Sequence, residues 1–450
     1  MLDILLINGR YPDFGENSVK KGNIGIEGSL IGYVGEDEPE ARLTIDVSGK
    51  IVSPGFVDIH MHEEDFAKDG KRYIISERML EMGVTTVCGG NCGHSRQPLA
   101  VFRKTLEELG GAPVNYCMQS GYNTLRRRDG LGPHDESTDI QREKYRDALR
   151  EELAEGSFGI SFGIEYDPAI SFDEMLFAVS ASDNKDHIVS AHYRNDAIWN
   201  LDPVKEMIRL SAAIRQRFQI SHLSSCSAFQ NMKESLELIE KARITDPGLD
   251  FDTYPYNAFS CSIGSTVFDD GCFEGWKKTY KDVMLAGDPY KNVYCTEEIF
   301  NDARKNYPDM LAVAFVLDEN DIELAVNSSM GMIASDGLLR GGNGHPRAAG
   351  TFPRVLGRYV REKGSISLID ALRKMTRTPS YRLRLFNKGQ IKEGYDADIT
   401  VFDPDTIIDR ADFGALEKPC GIEYVFIGGD IAIERGKTVN QRLGKFIGFR

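Results

Sequence analysis

What this sequence lacks narrows it first. No apolar run reaches the roughly 20 residues that a bilayer-spanning helix needs, so no transmembrane segment is expected. The opening stretch MLDILLINGRYPDF puts an acid inside its apolar run and has no basic lead-in, so it does not read as a secretory leader. Cations are scarce: 54 Lys and Arg stand against 69 Asp and Glu, a formal net charge of −15. Nucleic acid and anionic membranes need basic patches, so neither is expected as a partner. The eight cysteines, at 88, 92, 117, 226, 261, 272, 295 and 420, form no tight framework of pairs. Reduced thiols, and with them a cytoplasmic location, are the expectation. What is present is ordinary for a globular protein, 41% hydrophobic and 27% charged residues, in a chain long enough for two domains.

The two ends are alike in style. Residues 1–54 hold short β-rich pieces, ILLINGR, NIGIEGSLIGYVG and LTIDVSGKIVSPG, and residues 388–450 repeat the pattern with ADITVFDP and YVFIGGDIAIERGK. Gly and Asp punctuate both at turn-like spacing. A small β-sandwich domain built from both chain ends (1–54 plus 388–450) is expected. The middle, 55–387, alternates apolar strand runs with amphipathic helices such as EKYRDALREELAEG and QNMKESLELIEKAR. Eight strands are predicted, at 55–62, 84–90, 113–120, 158–164, 187–193, 218–224, 249–255 and 331–336. Alternation of this kind predicts an α/β fold, a (β/α)8 TIM-like barrel, with strands buried on both faces. An insert at about 258–325, carrying Trp276, Tyr280 and Tyr290, breaks the rhythm and reads as a substrate lid or subdomain.

Potential metal ligands sit where these strands end. FVDIHMH places His60 and His62 one residue apart, and strand alternation points both imidazoles the same way. Cys92 follows TTVCGGN, His192 ends IVSAH, His222 ends FQISH and Asp336 ends MIASD. Each alone is weak evidence, but in a (β/α)8 barrel the C-terminal strand ends converge on one mouth. Thiolate with imidazole selects zinc. Cys92, His192 and His222 give three ligands and leave a position for water, the count of a catalytic site. His60, His62 and Asp336 remain for a second, weaker metal, and Asp336 is the natural general base.

At these residues the chain resembles the amidohydrolase superfamily and, within it, the D-aminoacylase (N-acyl-D-amino-acid deacylase) family. The segments that carry the resemblance are VSGKIVSPGFVDIHMHEED, GVTTVCGGNCGHS, AHYRND, QISHL, DTYPYNA, ASDG, HPRAAGTFPRVLGRYVRE and GQIKEGYDADITVFDP. The GNCG match selects Cys92 over Cys88. The resemblance implies a zinc-dependent hydrolase of a linear amide, releasing a carboxylate and a free D-amino acid, with Asp336 moving the proton. It implies that Arg347 and Tyr166 hold the substrate carboxylate. Arg194, two residues past His192, is expected either to support that ligand from behind or to be a further anion contact. The family lysine after the strand-six histidine is absent: the run is SHLSS, and Ser224 stands in its place. Binuclear relatives often bridge two metals with a strand-four lysine. GSFGISFGIEYDP has none, so one tight zinc is expected, with Cys92 available as a bridge. Two other readings remain: a cyclic amidase of hydantoinase or dihydroorotase type, and a catalytically silent relative used as an interaction protein. Homo-oligomerisation is left open.

Overall fold

The computed structural model describes all 450 residues. Its centre is parallel β-structure. Phe56–Asp58, Val84–Gly89 and Asn115–Met118 form one parallel sheet. Ser120–Gly121, Gly159–Gly163, Ile188–His192, Arg217–Ile220, Leu249–Thr253 and Met332–Ile333 form a second, in that order. Asn115–Met118 runs on into Ser120–Gly121, which links the two sheets. At the other edge, a parallel bridge pairs Met61 with Gly337. There the His62 N–H donates to Gly337 O at 2.9 Å, and the Asp336 N–H donates to His60 O at 2.7 Å. Each of the eight stretches read as a strand overlaps one of these elements. The strands are nearly all buried, which is why they read as continuous apolar runs rather than alternating ones.

Helices cover the outside. Asp139–Ala154 starts at Thr138, whose hydroxyl accepts the Gln141 N–H while the Gln141 side chain returns to the Thr138 N–H. Tyr145, Leu149 and Leu153, spaced by four, form its buried stripe. No helix is long and apolar enough to cross a membrane.

Both chain ends enter one nine-stranded sheet. Its seam is Ile51–Pro54, antiparallel to Ile399–Phe402, where residues at both ends of the chain become neighbours. Ile24, Ile26, Val52, Ile399, Val401 and Phe426 fill its own core. The last residues leave this sheet. Gly444 and Ala112 exchange two backbone bonds, the Tyr116 N–H donates to Lys445 O, and the Phe449 N–H donates to Gly156 O. The tail beyond residue 443 therefore packs beside the parallel strands, although its sequence was read with the terminal β region.

The insert has a sheet of its own, with Phe259–Ser262, Leu311–Ala314, Val283–Leu285 and Val293–Tyr294 antiparallel in that order. Trp276 is buried there, 5.5 Å from the Phe259 ring and 5.8 Å from that of Phe268. Tyr280 packs 4.5 Å from Phe273, and Tyr290 bonds Asp302 at 2.7 Å. All eight cysteines are free thiols.

Candidate metal centre

The six predicted ligands come together, each just at or past the end of a parallel strand, and all are buried. They form two groups that share Cys92: His60, His62, Cys92 and Asp336 in one, Cys92, His192 and His222 in the other. Within each group the donor atoms lie within 4.8 Å of one another. Cys92 Sγ is 3.3 Å from both His60 Nε2 and His222 Nε2. His62 Nε2 is 3.2 Å from Asp336 Oδ1. The backbone bends hard to achieve this. Cys92, His222 and Asp336 all take left-handed conformations, at φ 53°, 31° and 49°. Such geometry costs about 1–3 kcal/mol per residue and survives only where its surroundings enforce it.

Burial opposes the Cys92 thiolate, but His60 and His222 outweigh it and hold the thiol well below its usual range. Burial likewise opposes the Asp336 carboxylate, and Arg347, His222 and His62 together hold it well below the usual carboxylate range. His62 Nδ1 and His192 Nδ1 are buried without a partner. A thiolate, four imidazoles and a carboxylate, with His192 Nδ1 left unpartnered, make a donor set that fits zinc.

The strand-four run packs directly on the Cys92 loop. A side chain at Gly163 would overlap the Cys92 carbonyl oxygen and the Tyr166 ring.

Several residues of the site were not foreseen. Asp252 accepts from the His222 N–H at 2.8 Å and from Gln219 Nε2 at 3.0 Å, and its Oδ1 lies 3.0 Å from His60 Nδ1. Glu63 accepts the N–H groups of Gly90, at 2.8 Å, and Arg96, pinning the Cys92 loop to the residue after His62. Tyr254 Oη and Ser260 Oγ are buried without partners beside Arg347. The only sequence signal for Asp252 was its place in LDFDTYPY, two residues before Tyr254. Its partner His60 is 192 residues away.

The predicted substrate residues divide. Arg347 is buried at the first turn of Arg347–Arg354. Its Nη2 meets Asp336 Oδ2 at 2.9 Å and Ser260 O at 3.1 Å, and its guanidinium lies 4.7 Å over the Tyr254 ring. Its Nε and Nη1 are buried and unpartnered. The Tyr166 ring stands 4.6 Å from that of His192. Arg194 is a correction: both edges of its guanidinium are engaged, by Glu206 at 3.0 and 3.1 Å and by the carbonyls of Pro168 and Ile170 at 2.7 and 2.8 Å. It braces a loop rather than offering an anion contact. Ser224 is fully buried, and its hydroxyl lies between the Tyr254 N–H at 3.3 Å and the Tyr254 carbonyl at 3.4 Å.

The amidohydrolase family model matches residues 51–234 and 266–432. A protein named D-aminoacylase from Alcaligenes xylosoxydans xylosoxydans is 29% identical, over 99% of this chain and 97% of its own. A solved D-aminoacylase, described by its binuclear metal centre with one-metal activation and second-metal attenuation, is 29% identical over 100% of both chains with a TM-score of 0.89. An N-acyl-D-glutamate deacylase from Bordetella bronchiseptica, solved with zinc and a phosphonate inhibitor, is 25% identical over 99% of both chains with a TM-score of 0.87. A D-hydantoinase shares the fold alone, at 17% identity and a TM-score of 0.65. With more than half of its length matched, the chain belongs to the amidohydrolase family.

Proposed function

We propose that this protein is a zinc-dependent amidohydrolase that cleaves the linear amide of N-acyl-D-amino acids or close analogues to a carboxylate and a free D-amino acid. One observation carries the reading: two donor groups share Cys92, and the Asp336 of one is ion-paired to an arginine with two unpartnered nitrogens. The full-length likeness to D-aminoacylases supports the linear amide over a cyclic one. On this reading the parallel strands close into a (β/α)8 barrel across the Met61–Gly337 bridge. Residues 1–54 and 388–450, the tail excepted, make the β-sandwich domain.

Cys92, His192 and His222 would hold the tight zinc. His60, His62 and Asp336, with Cys92 between, would hold the weaker second metal. Bound there, zinc would polarise the scissile carbonyl, acidify water and stabilise developing negative charge. Asp336 accepts the proton of the attacking water and returns it to the leaving nitrogen. Arg347, against its other oxygen, keeps the carboxylate ionised until that proton arrives. Arg347, with Nε and Nη1 unpartnered, then offers a charge-assisted hydrogen bond to the substrate carboxylate. Tyr166, beside His192, closes the site on the opposite side of the carboxylate. With Ser224 in place of a lysine and its hydroxyl held by Tyr254, Arg347 is the one cation left for the carboxylate, with Tyr166 beside it. The missing charged bond weakens binding by about 1.5–3 kcal/mol, so a KM higher than in lysine-bearing relatives is expected.

The test is amine release from N-acetyl and N-formyl amino acids of both hands, with zinc present. Turnover confined to D-substrates is expected. Zinc-loaded protein inert on the whole panel would overturn the substrate assignment.

A further inference from the structure

Glu165 lies in the turn after Gly159–Gly163, next to Tyr166. Its Oε2 is 2.7 Å from His192 Nε2, and its side chain is only 11% exposed. The other ring nitrogen of His192, Nδ1, is buried with no partner. A neutral imidazole has one N–H and one lone pair, and an ionised carboxylate can only accept. In the neutral imidazole that a metal requires, the Glu165 bond therefore puts the hydrogen on Nε2 and the lone pair on Nδ1. His60 has the same arrangement on the other side of the centre: Asp252 takes its Nδ1, and Nε2 turns to Cys92 Sγ. His62 and His222 have no such carboxylate on their outer nitrogen. His62 Nδ1 has no partner, and His222 Nδ1 meets only Cys226 Sγ at 3.6 Å. Each donor group thus has one histidine with its tautomer fixed by a buried acid.

The insert holds Glu165 in place. The Thr266 hydroxyl donates to the Glu165 carbonyl. Trp276 Nε1 donates to the Asp196 carboxylate, at 3.4 Å from each oxygen, four residues past His192. The insert thereby grips the chain on both sides of the Glu165–His192 pair.

We propose that Glu165 is a positioning residue of the metal centre: it fixes the His192 tautomer so that Nδ1 faces the metal, and the insert is the scaffold that holds it there. This rests on the zinc-hydrolase reading above. A carboxylate behind a ligating histidine typically contributes 10–100-fold in metal affinity, about the loss expected on removing it.

The full-length protein, stripped of metal, is titrated with zinc against a chromophoric chelator. Glu165→Ala is expected to bind zinc about 10–100-fold more weakly than wild type. Glu165→Gln, which keeps an acceptor oxygen, is expected to recover most of that affinity and the visible absorption bands of the cobalt-loaded wild type. Metal-free melting temperatures of the folded variants should match, which separates positioning from a general structural role. Should Glu165→Ala fail to fold, Glu165→Asp serves instead, its side chain too short to reach Nε2. Wild-type zinc affinity in Glu165→Ala or Glu165→Asp would overturn the assignment, as would a Glu165→Gln as weak as Glu165→Ala. A wild type that binds no zinc would defeat the metal reading itself and leave the variants with nothing to compare.

Discussion

Arg347→Ala separates the two jobs proposed for this side chain. The guanidinium is 2% exposed, so no solvent replaces it when it is removed. One nitrogen, Nη2, is engaged by Asp336 at 2.9 Å, while Nε and Nη1 stand free for a substrate carboxylate. A hydrogen bond to a charged group is worth about 1.5–3 kcal/mol. Losing one to the substrate removes about 1.5–3 kcal/mol, or roughly 10–10² in kcat/KM. Losing the bond to Asp336 removes about 1.5–3 kcal/mol more, and every substrate feels it, because it acts on the base. The assay compares kcat/KM for an N-acetyl-D-amino acid and for the matching N-acetyl amine without a carboxylate. The carboxylate substrate should suffer the larger loss by roughly 10–10², and Arg347→Lys, which keeps the charge but not the guanidinium geometry, should fall between. Equal losses on both substrates would refute the clamp and leave Arg347 a partner of Asp336 alone.

Further predictions follow from particular contacts. Asp336→Asn should keep zinc at Cys92, His192 and His222 and lose turnover by about 10²–10⁴, the usual share of a general base; retained turnover, read by amine release, would remove Asp336 from that role. Gly163→Ala should lower both the melting temperature and the zinc content by metal analysis, since its Cβ would displace the Cys92 carbonyl. Chelation should lower the melting temperature and zinc should restore it, because an ion at 1,000 times its Kd stabilises the folded state by about 4 kcal/mol. Lys374 is buried at 6% exposure with its ammonium on the carbonyls of Val326 and Met330, and burial, partly offset by Asp250 and Asp370, pulls its pKa from 10.5 down to about 8. The folded chain then binds fewer protons than the unfolded one between those values, so this residue's contribution to stability rises with pH across that window. Thermal melts of wild type and Lys374→Met from pH 7 to 11 should diverge in favour of wild type as pH rises; a constant difference would contradict the assignment.

Much of the centre was legible because each ligand ends an apolar run. A single His, Cys or Asp at a strand end says little, but six of them at the ends of successive buried strands, His60, His62, Cys92, His192, His222 and Asp336, stood out jointly. Their distances to one another did not, because neighbouring strands are joined only through the fold. Asp252 and Glu165 were missed for a related reason. An acid in a turn or on a strand looks like any solvated carboxylate until its partner, 192 or 27 residues away, is known. Arg194 shows the converse: its nearness in sequence to His192 left an anion contact open, which its engagement by Glu206 and two carbonyls removes. The terminal β pieces were visible from their turn spacing, but the strand-like exit of residues 444–449 toward Ala112 and Tyr116 was not, since pairing partners leave no mark on a single strand.

The most direct test of the account is the rate of amine release from one N-acetyl-D-amino acid and its L-enantiomer as zinc is added back to metal-free protein. The account predicts no turnover without metal, activity rising with the first equivalent of zinc, and the D-substrate alone consumed. Turnover by metal-free protein, or equal use of the L-substrate, would contradict it.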